Sequence, residues 1–384
     1  MRPSVTNKCQ PVVIGMDHYN TLGLIRSFGE KGYKPILILL GDCEIEKCLT
    51  AKSKYANEIH ITSPKEAINV LKNLKCEWLP ILFPSGDKAA ELIDRNLNYL
   101  NKKFICPNIN NTSGAVIAAM DKENMRSRAQ QYGLLTPHTW QIKEDLTTID
   151  EIEYPCIIKA CASINGPKSY EIIHNTEELA TAVSIMRDTT QDIIVQNFIK
   201  KDYEIIFLGY SHNGKIGIPC VMRKIREYPQ NFGCTGLGII SPNIEEYLSL
   251  KQLKEFIKSY NYSGLFSVEF IVSGEQIYFL EINFRNDGNG YFPGKGGVNI
   301  ADDYIQLISG NDIDYNRRVD RTYRMMREFT DLNYVRTSGY SKLSWIKDIL
   351  TTDVFQYWNN RDPKPFVFLL KRKIQMKINY KDNC

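Results

Sequence analysis

The chain has 384 residues, of which 43% are hydrophobic and 24% are charged, and its formal net charge is +4. That length exceeds what one ordinary hydrophobic core supports, so we expect two or three domains. The nearly balanced charge favours no polyanionic partner, and no apolar run reaches the ~20 residues that a membrane-spanning helix requires. These properties predict a globular protein that neither binds nucleic acid nor inserts stably into a membrane.

The cysteines and the two ends of the chain indicate an expected cellular location. The ten cysteines are scattered, without a C-x-x-C pair or a histidine at zinc-binding spacing. The first ten residues lack the apolar segment of a signal peptide, so we expect a cytoplasmic protein with reduced thiols. Near the other end, basic residues at 371–373, 377 and 381 could contact a membrane surface or nucleic acid. A solvated terminal face is the simpler interpretation.

The opening third of the chain predicts a small α/β domain. Apolar segments at 11–15 and 34–40 predict two strands, and the apolar spacing over 21–31 predicts a helix between them. A second such unit has a strand at 79–83 followed by a helix. In a parallel sheet, the loops after both strands would lie at the same edge. The glycine spacing of a dinucleotide site is missing after Gly15, so we expect no nicotinamide cofactor.

The middle of the chain carries antiparallel signals instead. A polar helix over 121–131 begins with Asp121 as its cap, and short apolar strands follow at 156–160 and 193–199. The turn His212-Asn213-Gly214 separates two further strands. The predicted fold class is therefore α/β and α+β.

Two strands between residues 265 and 290 predict a hairpin that gathers charged side chains. Alternation of residue types places Glu281, Asn283 and Arg285 on one face of the second strand. Matching the apolar faces places Glu269 opposite Glu281 if the connecting loop has an odd number of residues, about three. Two facing carboxylates beside an amide suit a hard cation such as Mg²⁺, and a nearby arginine suits phosphate. The alternative is a half-exposed sheet whose solvent face happens to be polar.

Two lysines and a loop could handle a polyphosphate. Lys122 opens the polar helix, where the helix dipole already favours anions. Lys159 ends an otherwise apolar strand, and a lysine there must emerge at the sheet edge or meet an anion. The small residues of 161–169 form a loop whose backbone N–H groups could close over phosphates. Each signal alone is weak, because exposed lysines are common on any protein surface.

The order of these features resembles the ATP-grasp superfamily over roughly residues 11–310. The motifs are DK at 121–122, YPCIIKA at 154–160, VQNFI at 195–199, and SVEF followed by FLEINFR in the hairpin. Within the superfamily, the segment MRKIREYPQNFGCTG at 222–236 is most similar to carboxylate–amine ligases, which include D-aspartate ligase-like and carbamoyl phosphate synthase large-chain-like proteins. The resemblance implies an ATP-grasp fold preceded by a Rossmann-like (pre-ATP-grasp) domain at 1–110. It further implies a small lid-bearing subdomain at 111–192, a larger subdomain with a metal site at 193–320, and a C-terminal extension of unassigned role at 321–384.

The resemblance also assigns roles to residues of this chain. The residues expected to bind ATP are Lys122, Lys159, Ser163, Gly166, Lys168, Gln196, Phe198, Ile199 and Glu204. The lysines would hold phosphates, the hinge at 196–199 would hold adenine, and Glu204, or else Asp202, would bind the ribose. Glu269, Glu281 and Asn283 would ligate about two Mg²⁺ ions, with Mn²⁺ as an alternative. The chain departs from the family pattern at Gln196-Asn197, where a Glu-Glu or Gln-Glu pair is common, and at Phe284, where proline is common.

The implied activity joins a carboxylate to an amine, with ATP as the phosphate donor. The carboxylate oxygen attacks the γ-phosphorus to give an acyl phosphate and ADP, and the amine then displaces phosphate to leave an amide. The expected catalytic residues are Lys159 and Arg285, of which Arg285 would stabilise charge on the transferred group. The residues expected to contact the substrates are Arg223, Arg226, Asn20 and Asp87.

The expected substrates are a small carboxylate and a small amine, with amino acids among the candidates. One alternative is an enzyme that activates bicarbonate, as in carboxylase or carbamoyl phosphate chemistry. Another is an ATP-binding regulator without catalysis. Formation of a homodimer is left open.

Overall fold

The computed structural model describes residues 9–142, 152–160, 170–188, 193–231 and 233–382. Within these residues the strands form a parallel sheet, a small antiparallel sheet and a large, mostly antiparallel sheet. None of the described helices is long and apolar enough to cross a membrane. The predicted lid at 161–169, with Ser163, Gly166 and Lys168, lies outside the described residues.

The first part of the chain folds as a parallel sheet between two layers of helices. Its elements are β1 (Cys9–Gly15), α1 (Tyr19–Gly29), β2 (Ile36–Leu40), β3 (Glu58–Thr62), α2 (Ala67–Asn73), β4 (Leu79–Pro84), α3 (Asp87–Arg95) and α4 (Leu97–Leu100). The strand order is β3-β2-β1-β4, and each pairing is parallel. Burial on both faces explains the continuous apolar runs of β1 and β2. The predicted strand–helix–strand arrangement is confirmed.

A short connection leads from this sheet to the rest of the chain. Its elements are β5 (Asn108–Ile109), α5 (Ala115–Ala119) and α6 (Lys122–Gln131). The Asp121 side chain accepts a hydrogen bond from the backbone N–H of Asn124 at 2.9 Å. This contact confirms the predicted cap and places Lys122 in the first turn of α6.

The small antiparallel sheet follows α6. Its elements are β6 (Thr139–Gln141), β7 (Cys156–Ala160), β8 (Tyr170–Ile173), α7 (Thr176–Arg187) and β9 (Ile193–Asn197). The strand order is β6-β9-β7-β8, and α7 packs on one face of the sheet. The predicted boundary between residues 192 and 193 separates β9 from the strands with which it pairs. Backbone pairing therefore extends this unit to Asn197.

The large sheet takes up most of the remaining chain. Its elements, with the helices between and after them, are β10 (Tyr203–His212), β11 (Lys215–Tyr228), β12 (Cys234–Ser241), α8 (Leu250–Lys258), β13 (Tyr262–Ser273), β14 (Gln276–Asn283), α9 (Ile300–Ile308), β15 (Tyr323–Met326), α10 (Glu328–Ser338), α11 (Lys342–Leu350), β16 (Val354–Phe355) and α12 (Lys364–Asp382). The strand order is β14-β13-β10-β11-β12-β15-β16, and β5 also pairs with β13. Because β15 and β16 extend this sheet, the region at 321–384 is not a separate extension.

The large sheet is buried on both faces. Leu208 and Met222 point to the first domain and share a core with Phe83 of β4. Phe207 and Phe270 point to the other side, where they pack with residues of α6 and α8. Because successive side chains alternate between two apolar cores, a shift of one residue in any central strand would put polar groups into one of them. The register of the large sheet is therefore strongly specified.

A buried ion pair fixes the last part of the chain to the first domain. The Arg26 guanidinium of α1 donates to Asp362 Oδ2 at 2.9 Å and to the carbonyls of Gln356 and Tyr357 at 2.6 and 3.0 Å. Asp362 Oδ2 also accepts from the Ser53 hydroxyl at 2.7 Å. The two charged side chains are 0% and 1% exposed. Such charges are tolerated inside a protein only with this density of partners.

Replacing Asp362 with Asn should lower the free energy of unfolding by about 3–5 kcal/mol, because the Arg26 charge would stay buried without its counterion. Urea denaturation followed by tryptophan fluorescence measures this change. The matched control is Glu91→Gln, which breaks a pair whose Arg95 partner is 61% exposed, and its effect should be close to zero. Equal effects of the two substitutions would contradict the role given to the Arg26–Asp362 pair.

Candidate active site

The hairpin of β13 and β14 brings two glutamates face to face. Glu269 pairs directly with Glu281 in the antiparallel ladder, as predicted. The connecting turn is only Gly274-Glu275, with Gly274 at a φ of +56°. A β-bulge at Leu280 adds one unpaired residue to β14 and shifts the register by one. The offset that places Glu269 opposite Glu281 therefore comes from this bulge and not from the length of the loop. The predicted pairing is confirmed, whereas the predicted three-residue loop is wrong.

Asn283 joins the two carboxylates. Its Nδ2 donates to Glu269 Oε1 at 3.1 Å and to Glu281 Oε1 at 3.4 Å. Burial, and then the negative charge of Glu281, raises the pKa of Glu269 to about 8, while Lys224 acts in the opposite direction. The carboxylate pair is therefore short of positive charge, which is the electrostatic property of a cation site.

The donor set suits a metal that arrives with a phosphate ligand. Among the described residues, no three His, Cys, Asp or Glu side chains converge as a metal centre. Two carboxylates and an amide supply only part of a coordination sphere. Mg²⁺ commonly takes the remainder from water and substrate phosphates. The residues at the end of the hairpin therefore fit Mg²⁺ bound together with a nucleotide.

Lys224 is a charged residue of this site that the sequence interpretation missed. Met222 pairs with Ile206, and Ile206 pairs with Glu269, so these side chains share one face of the sheet. Lys224 follows Met222 by two residues and lies on the same face. Burial lowers the pKa of Lys224, but the charges of Glu204 and Glu269 outweigh burial and raise it. The alternation of β11 carried this signal, since neighbouring residues 223 and 224 must face opposite sides.

Glu204, the predicted ribose contact, is held by two lysines. Lys201 Nζ lies 2.5 Å from Glu204 Oε1 and 2.5 Å from Glu227 Oε1, and Lys224 Nζ donates to the other oxygen of Glu204. Burial raises the pKa of Glu204, but Lys224 and Lys201 outweigh burial and lower it. An ionised carboxylate offers about four acceptor positions. This arrangement is therefore compatible with a further hydrogen bond from a ribose hydroxyl.

Arg285 connects the hairpin to the first domain. Its Nε donates to Asp87 Oδ1 at 2.7 Å, and its Nη2 donates to Asn283 Oδ1 at 3.0 Å. Asn20 Nδ2 donates to the carbonyl of Asn286 at 2.9 Å. Asp87 opens α3 and Asn20 lies in the first turn of α1, so both follow strands of the parallel sheet. The structure thus brings Asp87 into contact with Arg285, and Asn20 into contact with the neighbouring Asn286, at one edge of the parallel sheet.

One face of the small sheet collects two of the predicted nucleotide residues. Ile157 pairs with Gln196, and Lys159 follows Ile157 by two residues, so Lys159 and Gln196 share a face. Gln196 Nε2 donates to Thr139 Oγ1 at 2.8 Å. The opposite face is covered by α7.

The hinge continues directly from β9. The Phe198 backbone N–H donates to the carbonyl of Pro155 at 3.1 Å, and Phe198 and Ile199 are partly buried. This bond ties the hinge to the start of β7. The backbone of the hinge is therefore fixed relative to Lys159.

The structure does not bring Arg223 and Arg226 to the carboxylates. Arg223 pairs with Ile205, which lies on the opposite face of the sheet from Glu269, and its guanidinium lies 5.2 Å from the centroid of the Tyr203 ring. Arg226 forms ion pairs with Asp331 at 2.7 Å and with Asp348 at 2.6 Å. Strand alternation explains the first displacement, and carboxylates from the last part of the chain explain the second.

Arg327 is a second residue that sequence reasoning missed. Its side chain is 1% exposed, and among the described residues no carboxylate lies within 4 Å of its guanidinium. The guanidinium lies 3.7 Å from the centroid of the Tyr19 ring and donates to Asn289 Oδ1 at 3.1 Å, while its Nε has no acceptor. Partial burial, and then the charge of Arg327, lowers the pKa of His18 to about 4. No local pattern around residue 327 signals this position.

The comparisons with known proteins match this geometry. The model of the ATP-grasp domain family matches residues 127–296. These residues are therefore an ATP-grasp domain, and the predicted superfamily is confirmed. Proteins of this class bind ATP or ADP.

Particular relatives extend the likeness beyond that domain. D-aspartate ligase of Enterococcus faecium (strain Aus0004) is 22% identical over 320 residues, which are 76% of this chain and 74% of the relative. N5-carboxyaminoimidazole synthetase of Staphylococcus aureus complexed with ADP has a TM-score of 0.66 at 16% identity and covers 87% of each chain. L-amino acid ligase of Bacillus licheniformis has a TM-score of 0.61 at 15% identity over 82% of this chain and 79% of that one. The two structures confirm the predicted fold.

Removing the Glu269 charge should change how stability depends on pH. In the metal-free protein the folded-state pKa of Glu269 is about 8, against about 4.3 for an unfolded chain. Between these values the folded state holds a proton that the unfolded state has lost, so the free energy of unfolding falls as pH rises from about 5 to about 8. Glu269→Gln cannot ionise and should remove this decrease, so the variant gains stability relative to the wild type with rising pH.

Urea denaturation in EDTA across that pH range measures the effect. Glu275→Gln in the exposed turn is the control and should follow the wild-type profile. A wild-type profile for Glu269→Gln as well would contradict the raised pKa.

Proposed function

We propose that this chain is an ATP-dependent ligase that joins a small carboxylate to an amine through an acyl phosphate and releases ADP and phosphate. The observation that carries this proposal is the convergence of Glu269, Glu281, Asn283 and Arg285 at the end of one hairpin. Three of the four residues lie on one edge strand or its continuation, and all four fall within the ATP-grasp match. The ligase names of two relatives support the same reaction class.

The nucleotide would lie between the small and large sheets. Lys122 and Lys159 would bind the α- and β-phosphates, and Gln196, Phe198 and Ile199 would enclose the adenine. Lys159 is suited to this role because it shares the face of the small sheet not covered by α7. Glu204 would accept a hydrogen bond from the ribose.

Glu269, Glu281 and Asn283 would hold Mg²⁺, in about two positions. Bound there, the ions would neutralise charge on the phosphate groups of ATP. The protein contributes the burial and the neighbouring charge of Glu281, which together raise the pKa of Glu269. Lys224, on β11, opposes the rise in the pKa of Glu269 and helps to lower the pKa of Glu204.

The chemical barrier to the first step is the approach of two anions, the carboxylate and the γ-phosphate. Arg285 is positioned to lower it, because its guanidinium is held in place by Asp87 and Asn283 and so needs little reorganisation. The acyl phosphate that forms is easily hydrolysed. Exclusion of water from the site would therefore protect it until the amine displaces the phosphate.

The carboxylate substrate would bind beside the first domain. Asn20 and Asp87 lie in that part of the cleft, and Arg327 supplies a buried positive charge without a described counterion. Arg327 is a positioning residue in this proposal, because it orients Tyr19 and Asn289 and makes the potential around them positive. Arg223 and Arg226 have partners elsewhere and are the weaker candidates.

Incubation with Mg-ATP and pools of amino acids should release phosphate only when a carboxylate and an amine are both present. Glu281→Gln should abolish this turnover. Without this metal ligand, the negative charges of the attacking carboxylate and of the transferred phosphate are no longer screened from each other. An intact unfolding transition shows that the fold persists. Glu275→Gln, in the adjacent turn, is the control and should keep wild-type turnover.

Other outcomes separate the alternatives. Phosphate release that requires bicarbonate and an amine, but no organic carboxylate, would identify a bicarbonate-activating enzyme. Tight ATP binding without turnover in any pool would identify a regulator. Wild-type turnover in Glu281→Gln would refute the proposed metal site.

Replacing Arg327 with Lys should raise KM for the carboxylate substrate by at least about tenfold and leave KM for ATP within about twofold. The reason is that lysine keeps the charge but loses the planar stacking on Tyr19. Arg285→Lys should instead lower kcat, since its interaction develops in the transition state. Steady-state kinetics with one substrate varied at a time measure both effects. Equal changes in both KM values would show a general structural role for Arg327.

A further inference from the structure

Helix α12 has one face packed on the protein and one face open to solvent. Phe366, Phe368 and Leu369 pack against a small apolar cluster that contains Leu22 of α1. The Phe366 ring stacks on Phe329 of α10, with centroids 5.7 Å apart and an interplanar angle of 18°. These contacts anchor the helix to two parts of the protein and fix which side of it faces outward.

The outward face has an apolar stripe. Val367, Leu370 and Ile374 are 41%, 41% and 50% exposed. Their spacing of three and four residues aligns them along one side of the helix. A globular protein normally buries such a stripe, so an aligned exposed one indicates a surface that binds something.

Lysines accompany this stripe. Lys364 and Lys371 are exposed, and at 3.6 residues per turn both flank the stripe on the same side of the helix. The helix contains no acidic residue before Asp382. The outward face therefore combines aliphatic and positively charged groups without negative charge.

We infer that the outward face of α12 is a docking surface for an anionic lipid bilayer. An interfacial helix lies in the membrane plane with aliphatic side chains in the headgroup region, while lysines beside them extend to lipid phosphates and carboxylates. The charge of α12 is complementary to an anionic leaflet, where each lysine near the surface strengthens binding by about fivefold. This adsorption is peripheral and is independent of the ligase chemistry.

Other occupants fit this face less well. The exposed side chains in the stripe are aliphatic, whereas proteins that bind single-stranded nucleic acid rely on aromatic side chains for stacking. A second copy of the chain would bring two basic faces together, and like charges repel. A lipid bilayer satisfies both the apolar and the charged part of the face.

Flotation of the full chain with vesicles of phosphatidylcholine, alone or mixed with phosphatidylserine, tests the inference. The protein should float with the mixed vesicles only, and less at high salt. Lys364→Gln with Lys371→Gln should lower the partition coefficient by about 25-fold, which is two factors of five. Leu370→Ser with Ile374→Ser should lower it by at least about tenfold, including the part that persists at high salt.

Matched controls separate this face from the rest of the surface. Lys75→Gln with Lys102→Gln removes two exposed lysines of the first domain, which is the same change in charge. Leu343→Ser with Leu350→Ser removes two leucines of α11 that are each 80% exposed. Both controls should bind vesicles as the wild type does, and all variants should keep the wild-type unfolding transition.

Several results would overturn the inference. One is failure of the full chain to float with mixed vesicles at low salt, and another is an equal loss in a control. If Leu370→Ser with Ile374→Ser instead dissociates a dimer in analytical ultracentrifugation, the occupant is a second copy. If duplex DNA binds equally to the wild type and to this variant and displaces the vesicles, the face is a general polyanion surface.

Discussion

The proposed site depends on holding two glutamates opposite each other against their mutual repulsion. Glu269 and Glu281 face each other because β13 is locked in register by β10, and β10 is locked by apolar cores on both of its faces. A slip of one residue would bury these charges in the core around Phe207. The hydrophobic energy of the sheet therefore enforces an electrostatically unfavourable pair. Burial, and then the repulsion from Glu281, raises the pKa of Glu269.

Two positively charged side chains border this pair. Lys224 reaches the pair from β11 and is itself held by Glu204, so it offsets only part of the negative charge. Arg285 is turned toward Asp87 of the first domain. The site is thus pre-organised with negative charge at the hairpin and positive charge at its border, as metal-assisted phosphoryl transfer requires.

The last part of the chain has a larger structural role than an extension would have. It contributes β15 and β16 to the large sheet, Asp331 to the pair with Arg226, and Asp362 to the pair with Arg26. It also contributes Arg327 beside Tyr19 of the first domain. The first domain, the large sheet and the proposed site are therefore connected by residues that lie outside the ATP-grasp match at 127–296.

Local patterns in the sequence determined much of the fold and the core of the candidate site. Alternation along β14 was sufficient to place Glu281 and Asn283 on one face, and apolar matching was sufficient to place Glu269 opposite them. The Asp121 cap and the turn at Asn213, which has a φ of +48°, were also predicted from the sequence, because caps and tight turns depend on a few adjacent residues.

Other features of the candidate site depend on contacts between residues far apart in the chain, and the tertiary structure determines these. The bulge at Leu280 replaced the expected loop, because the cores on both faces of the sheet set the register of the hairpin. The pairing of β11 with β10 places Lys224 on the face of the sheet that carries Glu269 and places Arg223 on the opposite face. Arg226 and Arg327 acquired their surroundings from partners about 100 or more residues away or from another domain. Such contacts arise from packing of distant segments, and no local periodicity encodes them.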